Sequence, residues 1–167
     1  MQGKRVKESS ILLAQVMNPQ DANPAGNVHG GVIMKLIDTA AGAAAVKHSR
    51  SNCVTASIDR LDFHHPVFIG DMITLKAGVT YTGKSSMEVG VRVESQNLLT
   101  GEIRHTVSAY MTFVALDKNG RPTAIPPLIL ETPEELRRNR EAQSRRETRL
   151  REKTKEKACQ FNAESCD

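Results

Sequence analysis

Residues 30–47 read GGVIMKLIDTAAGAAAVK, and this stretch decides the fold. Its apolar side chains recur at helical spacing and nearly encircle the helix axis, leaving one narrow polar stripe that includes Lys35 and Asp38. A helix that is apolar almost all round is usually buried by the rest of its domain. The stretch therefore predicts a central helix that other elements must cover.

The covering elements are predicted to be strands, because alternation of apolar and polar residues with period two recurs around the helix. One such segment precedes the helix and four follow it: 7–17, 53–63, 73–81, 87–93 and 103–113. Turns with glycine at 82–84 and 99–101 join the last three segments into an antiparallel meander. The expected fold class is α+β, with one long helix wrapped by an antiparallel sheet.

The composition changes near residue 130, and we divide the chain into a domain at 1–130 and a tail at 131–167. The tail begins with a capping box, Thr132-Pro133-Glu134-Glu135, and is then mostly charged to residue 157. Because apolar residues are few, we expect a solvated helix that frays before Cys159 and a tail that is partly disordered. Glutamate–arginine pairs at i,i+4 would support the helix: Glu134–Arg138, Glu141–Arg145 and Glu147–Arg151.

The overall composition excludes several classes of function. No apolar run approaches the roughly 20 residues of a membrane-spanning helix. The net charge of +4 is spread thinly along the chain and aromatic residues are 4%, so we expect no nucleic-acid partner. Cys53, Cys159 and Cys166 make neither a CxxC pair nor a disulfide framework, which indicates free thiols and a cytoplasmic location.

The residues suited to chemistry lie at the start of the predicted helix. Gly30 and Gly31 would let a ligand approach the helix N-terminus, where unpaired N–H groups can stabilise an oxyanion. Asn27 comes just before them and can donate or accept a hydrogen bond. Asp38 is the one carboxylate of the helix, and near an oxyanion site it would act as a general base for water or as a nucleophile.

The same residues also allow a purely structural interpretation. Asn27 would then be a turn residue, and Lys35 and Asp38, at i,i+3, would form a salt bridge. A glycine-rich loop before a helix also suggests phosphate binding, but neither GxGxxG nor GxxxxGK[ST] is present. His64 and His65 point to opposite faces of a strand and lack a third ligand, so we expect no metal site.

Four segments together resemble the hot-dog acyl-CoA thioesterases, in matching order over about residues 5–130. They are GNVHGGVIMKLIDTAAG (26–42), VTASIDRLDFHHPVFIGD (54–71), TGKSSMEV (82–89) and SAYMTFVALD (108–117). The resemblance is to bacterial acyl-CoA hydrolases and to the domains of the brain-type cytosolic enzyme. It implies the hot-dog fold, in which a curved antiparallel sheet wraps a long central helix. It also implies a homo-oligomer, a dimer with one continuous sheet and commonly a hexamer built as a trimer of dimers.

The resemblance further implies a hydrolase that cleaves fatty acyl-CoA at a dimer interface, with no metal or redox cofactor and with coenzyme A as part of the substrate. Asn27 and Asp38 match the family's catalytic pair, Asn27 of one chain facing Asp38 of its partner. The carbonyl oxygen would lie at Gly30 and Gly31. The ligand contacts that the family's layout implies are His29, Thr55, Ala56, Ser57, Lys84, Ser85, Ser86 and Met87.

Two other functions remain open on the same fold. A non-catalytic acyl-CoA-binding regulatory module would bind coenzyme A and leave Asp38 idle. Dehydration of hydroxyacyl thioesters would need a histidine as acid–base partner, and His29 is the candidate, although it could equally cap a turn. Arg60 and Arg92 are candidate phosphate contacts because they are basic.

Overall fold

The computed structural model describes residues 1–161, apart from the side chains of Arg60 and of residues 157–161. Cys166 therefore lies outside the described residues, as does the side chain of Cys159. The elements are, in chain order, β1 (Lys4–Arg5), α1 (Val6–Ser9), β2 (Ile11–Val16), α2 (Gly30–Ser49), β3 (Asn52–Phe63), β4 (Met72–Thr82), β5 (Ser86–Gln96), β6 (Ile103–Leu116), β7 (Leu128–Ile129) and α3 (Pro133–Phe161).

Five strands form one antiparallel sheet in the order β2-β4-β5-β6-β3. The neighbours β4, β5 and β6 are the predicted meander, which is confirmed. The chain places β3 beside β6, so β2 and β3 are the two edges. Strands β1 and β7 form a separate parallel pair. The α+β class predicted from the alternating segments is confirmed.

Helix α2 packs on one face of the sheet. Ile33, Ile37 and the alanines at 40, 41, 44 and 45 are buried there, and the small alanines let the helix approach the strands closely. The sheet contributes side chains such as Leu75, Val89 and Phe113, each fully buried. Full burial of one such aliphatic or aromatic side chain stabilises the fold by roughly 1.5–3 kcal/mol.

The opposite side of α2 is open in this chain. Met34 and Val46 are each 44% exposed, and Asp38 lies exposed between them. The sheet therefore covers one side of α2, whereas in a single chain the uncovered side includes apolar residues as well as the polar stripe. An apolar helical pattern indicates which side chains are shielded from water, but it does not indicate whether the same chain shields them.

The first strand also begins later than predicted. Val6–Ser9 form the helical turn α1, in which the Glu8 carboxylate accepts a hydrogen bond of 2.7 Å from the Arg5 backbone N–H. Ser9 is buried, and its hydroxyl lies 3.2 Å from Nδ1 of His48 near the end of α2. The local bond at Glu8 and the long-range contact of Ser9 hold this turn in place before β2 starts at Ile11.

The expected charged helix α3 is mostly exposed, but several of its residues lie against the sheet. The predicted capping box is present, with the Glu135 N–H donating to the Thr132 hydroxyl at 3.2 Å. Ala142 is fully buried. Arg145 does not pair with Glu141 as predicted but forms two hydrogen bonds with the buried Glu88 of β5.

The other two predicted pairs of α3 are present, Glu134–Arg138 at 2.8 Å and Glu147–Arg151 at 3.9 Å. Within residues 1–161, no helix combines the length and the apolar character that crossing a membrane requires.

Candidate active site

Asp38 and Thr55 meet on the open side of α2. The Thr55 hydroxyl of β3 donates a hydrogen bond of 2.7 Å to Oδ1 of Asp38. Within the described residues Asp38 forms no ion pair with Lys35, so the salt bridge of the structural alternative is not formed and the observed partner of Asp38 is Thr55. A carboxylate oriented by one hydroxyl keeps its second oxygen free to accept a proton from water.

The start of α2 has one free amide. His29 is the N-cap, and its Nδ1 accepts a hydrogen bond of 2.9 Å from the Gly31 N–H. The Gly31 amide is therefore occupied in this arrangement, whereas within residues 1–161 the Gly30 N–H has no partner. Because Nδ1 of His29 is engaged in the cap, the acid–base role that dehydration would require of His29 is not favoured by this geometry.

The loop before α2 is organised by Asn23, a residue that the sequence did not single out. Its Oδ1 accepts hydrogen bonds from the backbone N–H of Ala25 (2.9 Å) and of Asn27 (3.2 Å). Gly26 has a φ of +84°, which closes the loop between these two amides. The Asn-Pro dipeptide at 23–24 is a turn signal that could have drawn attention to it.

Asn23 and Asn27 both line an open cleft of about 360 Å³ at the start of α2. Its other lining residues are Val28, Gly30, Ile33, Phe63, His64, His65, Pro66 and Val67. The two asparagines and Gly30 line the same cleft, so several hydrogen-bond donors are available in it.

The two halves of the expected site lie apart within one chain. Gly30 and Asp38 are eight residues apart on α2, which is about 12 Å along the helix axis and roughly 80° around it. The atoms that react in a thioester lie within a few ångströms of one another. One carbonyl group therefore cannot reach the Gly30 amide and the Asp38 carboxylate of the same chain together.

The β4–β5 turn lies level with Thr55 across the sheet. The register pairs Thr55 with Phe113, Phe113 with Met87 and Met87 with Thr82, so about two strand spacings, or roughly 10 Å, separate Thr55 from the turn. Lys84 is exposed at the turn. Met87 is 1% exposed and packs in the core, so its side chain does not face a ligand in this chain.

Strand β3 is irregular where the sequence placed further contacts. Its register with β6 shifts between Thr55 and Ser57, and again between Ile58 and Arg60. Ala56 is exposed at the first irregularity. Ser57 donates a weak hydrogen bond of 3.4 Å to Oδ1 of Asp59.

Three further residues considered in the sequence analysis are Arg60, Arg92 and Cys53. The side chain of Arg60 lies outside the described residues. Arg92 hydrogen-bonds to Glu94, and this contact, together with that from Lys76, lowers the pKa of the Glu94 carboxyl. Burial raises the pKa of the Cys53 thiol, which keeps it protonated and unsuited to act as a nucleophile.

The adjacent histidines were predicted not to bind a metal. His64 stacks in a tilted arrangement on His105, with ring centroids 5.4 Å apart. In the part of the chain that the structure describes, no three His, Cys, Asp or Glu side chains are grouped so that they could hold a metal ion.

Comparison with known proteins identifies the family. A profile of the thioesterase superfamily matches residues 25–102. A Bacillus subtilis protein named as an uncharacterized acyl-CoA thioester hydrolase is 41% identical over 130 residues, which cover 78% of this chain and 76% of that protein. The rat cytosolic acyl coenzyme A thioester hydrolase is 37% identical over 142 residues, which cover 84% of this chain but only 37% of the longer relative.

Solved structures of similar fold are also acyl-CoA thioesterases and hydrolases. The crystal structure of an apo-hexameric acyl-CoA thioesterase superposes with a TM-score of 0.88 at 40% identity, covering 91% of this chain and 97% of that one. An acyl-CoA hydrolase from Staphylococcus aureus, solved with butyryl coenzyme A, coenzyme A and coenzyme A disulfide, gives a TM-score of 0.86 at 34% identity and covers 96% of this chain and 98% of that one.

Three single variants of the same S. aureus hydrolase have also been solved, in which alanine replaces an asparagine, an aspartate or a threonine. The substituted asparagine precedes the aspartate by 15 positions, and the threonine follows it by 17. The resemblance seen in the sequence and the hot-dog fold that it implied are both confirmed by these matches. The chain belongs to the thioesterase superfamily, among its hot-dog acyl-CoA thioester hydrolases.

Proposed function

We propose that this protein hydrolyses fatty acyl-CoA to a free fatty acid and coenzyme A, with Asp38 as the general base. The observation that carries the proposal is the hydrogen bond from Thr55 to Asp38, which orients an exposed carboxylate in a chain of this family. Support also comes from the relatives named as acyl-CoA thioester hydrolases and from the S. aureus hydrolase solved with butyryl coenzyme A.

The reaction follows from the chemistry of these groups. Asp38 takes a proton from water while the water oxygen bonds to the thioester carbonyl carbon. The carbonyl oxygen becomes an oxyanion and accepts a hydrogen bond from the Gly30 N–H, at the positive end of the helix dipole. The carbon–sulfur bond then breaks, the sulfur leaves with the electron pair, and Asp38 returns the proton to the thiolate of coenzyme A.

Gly31 has a supporting part in this scheme. Its amide holds the His29 cap and its lack of a side chain keeps the helix entry open. A Cβ at Gly31 would lie 3.1 Å from Nδ1 of His29, so even a methyl group would crowd the cap. His29 thereby fixes the first turn that presents the Gly30 amide.

Asn23 is the asparagine that we assign as the main donor to the thioester, and Asn27, which lines the same cleft, has a smaller part. Asn23, Asp38 and Thr55 have the same separations, 15 and 17 residues, as the substituted asparagine, aspartate and threonine of the S. aureus hydrolase. Asn27 stands 11 residues before Asp38. Because Oδ1 of Asn23 is engaged with the loop, its NH₂ group is free to donate to the carbonyl oxygen or to the attacking water.

We propose that each site is shared between two copies of the chain. About 12 Å separate Gly30 from Asp38 along α2, so the donors of one copy would face the Asp38 of another. The second copy would also cover the open side of α2 and the edge strand β3, where Val54 and Ile58 are 44% and 48% exposed. We propose a dimer with a continuous sheet, assembled further as a trimer of dimers, and the hexameric relative supports such an assembly.

The remainder of the substrate would follow the β4–β5 turn. Lys84, Ser85 and Ser86 would contact the pantetheine and phosphates of coenzyme A, and Ala56 and Ser57 would line the thioester beside Thr55. Hydrolysis by an activated water transfers no electrons, so the proposal includes no redox cofactor. Because Asp38 is assigned to activate the water, the proposal also includes no metal. We propose a cytoplasmic location, supported by the name of the rat relative and by the reduced state expected of the cysteines.

The proposal is tested by release of thiol from acetyl-, octanoyl- and palmitoyl-coenzyme A on the purified protein. We expect steady turnover with at least one of the three, and the ratios of kcat/KM would rank the chain lengths. A protein that binds coenzyme A in a thermal-shift titration but releases no thiol from any substrate would be a binding module. The hydrolase assignment would then be wrong.

The two asparagines are separated by a pair of variants. Asn23→Asp keeps the acceptor for the Ala25 and Asn27 amides but removes the NH₂ donor, so we expect kcat to fall about 10²–10³-fold with little change in Tm. Asn27→Ala is the comparison, with an expected loss below about tenfold. If Asn27→Ala lost the activity and Asn23→Asp kept it, the catalytic asparagine would be Asn27.

A further inference from the structure

Helix α3 contacts four strands of the sheet in the order in which they lie in space. Asn139 donates to the backbone oxygen of Thr80 on β4, at 2.7 Å. Arg145 binds Glu88 on β5 and stacks over the Tyr110 ring of β6, with its guanidinium carbon 3.6 Å from the centroid. One helix therefore crosses the outer face of the sheet from β4 towards the edge.

The last contact of this crossing is at the edge strand itself. Arg149 forms an ion pair with Asp59 of β3, and both side chains are largely shielded from solvent. From Asn139 to Arg149 the helix rises about 15 Å, and three strand spacings from β4 to β3 span about 14 Å. The rise of the helix from Asn139 to Arg149 thus matches the distance from β4 to β3, which brings Arg149 over β3.

Asp59 lies in the irregular part of β3. The register with β6 is broken on both sides of Ser57, first after Thr55 and again between Ile58 and Arg60. Interruptions of this kind weaken the ladder and let a strand bend. In this chain β3 has a strand neighbour on one side only, and α2 packs against the same strand. The contact from α3 therefore supports a segment whose strand pairing is interrupted.

We propose that Arg149 is a positioning residue for the hydrolase. By holding Asp59, it fixes the irregular segment of β3 and so keeps the Thr55 hydroxyl against Asp38. Asp59 is bonded back to Ser57, two residues from Thr55, which gives a continuous path from the tail helix to the catalytic carboxylate. This inference rests on the proposed function, since it assigns Asp38 and Thr55 to the reaction.

The experiment is a double-mutant cycle of Arg149→Gln with Thr55→Val, measured by thiol release. We expect Arg149→Gln alone to lower kcat about five- to tenfold with KM changed less than about twofold, because misplacement of a catalytic group slows the chemical step. In the Thr55→Val background the same substitution is expected to have no further effect on kcat. Arg149→Lys, which keeps a positive charge, is expected to restore part of the rate.

The matched control is Arg151→Gln, two residues further along α3, whose ion pair with Glu147 is exposed to solvent. We expect wild-type kcat and KM from it. Equal rates for Arg149→Gln and Arg151→Gln would overturn the inference. So would a loss of kcat that is as large in the Thr55→Val background as in the wild type, because Arg149 would then act by general loosening of the fold.

A readout that does not depend on activity separates this inference from the proposed function. Amide hydrogen exchange at residues 55–59 is expected to be faster in Arg149→Gln than in the wild type or in Arg151→Gln. Unchanged exchange there overturns the positioning inference, whatever the activity. Absence of hydrolysis in the wild type overturns the proposed function instead.

Discussion

Replacing Asp38 with asparagine is expected to lower kcat for acyl-CoA hydrolysis by about 10³-fold or more. General-base catalysis contributes about 10²–10⁴-fold, and asparagine cannot take the proton from water. The variant can still accept the hydrogen bond from Thr55, so the packing at the α2–β3 contact is preserved. The measurement is kcat by thiol release, with coenzyme A affinity and oligomeric state determined in parallel.

Affinity and assembly are expected to remain close to wild type, because asparagine has nearly the size of aspartate and keeps the hydrogen bond from Thr55. Lys35→Gln is the matched control, since Lys35 is exposed one turn earlier on α2 and has no assigned role. Near-normal turnover in Asp38→Asn would exclude this carboxylate as the base. The Asp38→Ala variant, which also lacks the acceptor, should be at least as inactive.

Replacing Arg145 with methionine is expected to cause the largest loss of stability among the tail substitutions. The Glu88 side chain is 2% exposed and receives two hydrogen bonds from Arg145 and one of 2.6 Å from Thr80. Removing one partner of a buried ion pair costs about 3–5 kcal/mol, and we expect about 2–3 kcal/mol because the Arg145 side chain is 23% exposed. For a chain of this length, Tm should fall by roughly 5–10 °C.

Thermal unfolding of the full chain measures this effect. Arg137→Met is the control, because its pairs with Glu134 and Glu141 are exposed and should change Tm little. The double variant Arg145→Met with Glu88→Met should recover part of the lost stability, since apolar side chains can replace a buried ion pair. A Tm for Arg145→Met as high as that of Arg137→Met would mean that α3 does not stabilise the sheet.

The sheet was predictable from the sequence because its signal is local. Alternation along β3 to β6 and the glycine turns between β4, β5 and β6 depend on neighbouring residues only. The start of β2 was less predictable, because the side chain of Glu8 competes with the strand by bonding to the Arg5 amide. The capping box at Thr132 was also predictable from the sequence, because all its hydrogen-bonding atoms come from four consecutive residues.

The position of the tail could not be predicted in the same way. Arg145 has a suitable partner at Glu141 by sequence spacing, and its real partner, Glu88, is 57 residues away. The sequence of alternating charges does not indicate which arginine pairs with a buried carboxylate of the sheet and which pairs with a glutamate of its own helix. The choice depends on the sheet placing Glu88 on its outer face beside Tyr110.

In the candidate site, too, some residues could be identified from the sequence and others only from the folded structure. Asp38 stood out because it is the one acid in an apolar helix. Asn23 was missed because its role depends on a loop that folds back so that two amides reach one side chain oxygen. Asp38 and Thr55 are 17 residues apart in the sequence and lie on different elements. Their contact could be predicted only if the packing of α2 on β3 were already known.

The crossing of the sheet by α3 has a consequence for synthesis of the protein. A ribosome completes the five strands and α2 before Pro133–Phe161 emerge, and nascent domains begin to fold from the N-terminal side. The growing chain therefore reaches a stage at which Glu88 and Asp59 face water without their arginines. Docking of α3 then joins partners 57 and 90 residues apart and closes the outer face. We expect docking to follow the folding of the sheet, so that a chain truncated before α3 carries an incompletely covered sheet, with two carboxylates that lack their arginines, for the quality-control machinery to recognise.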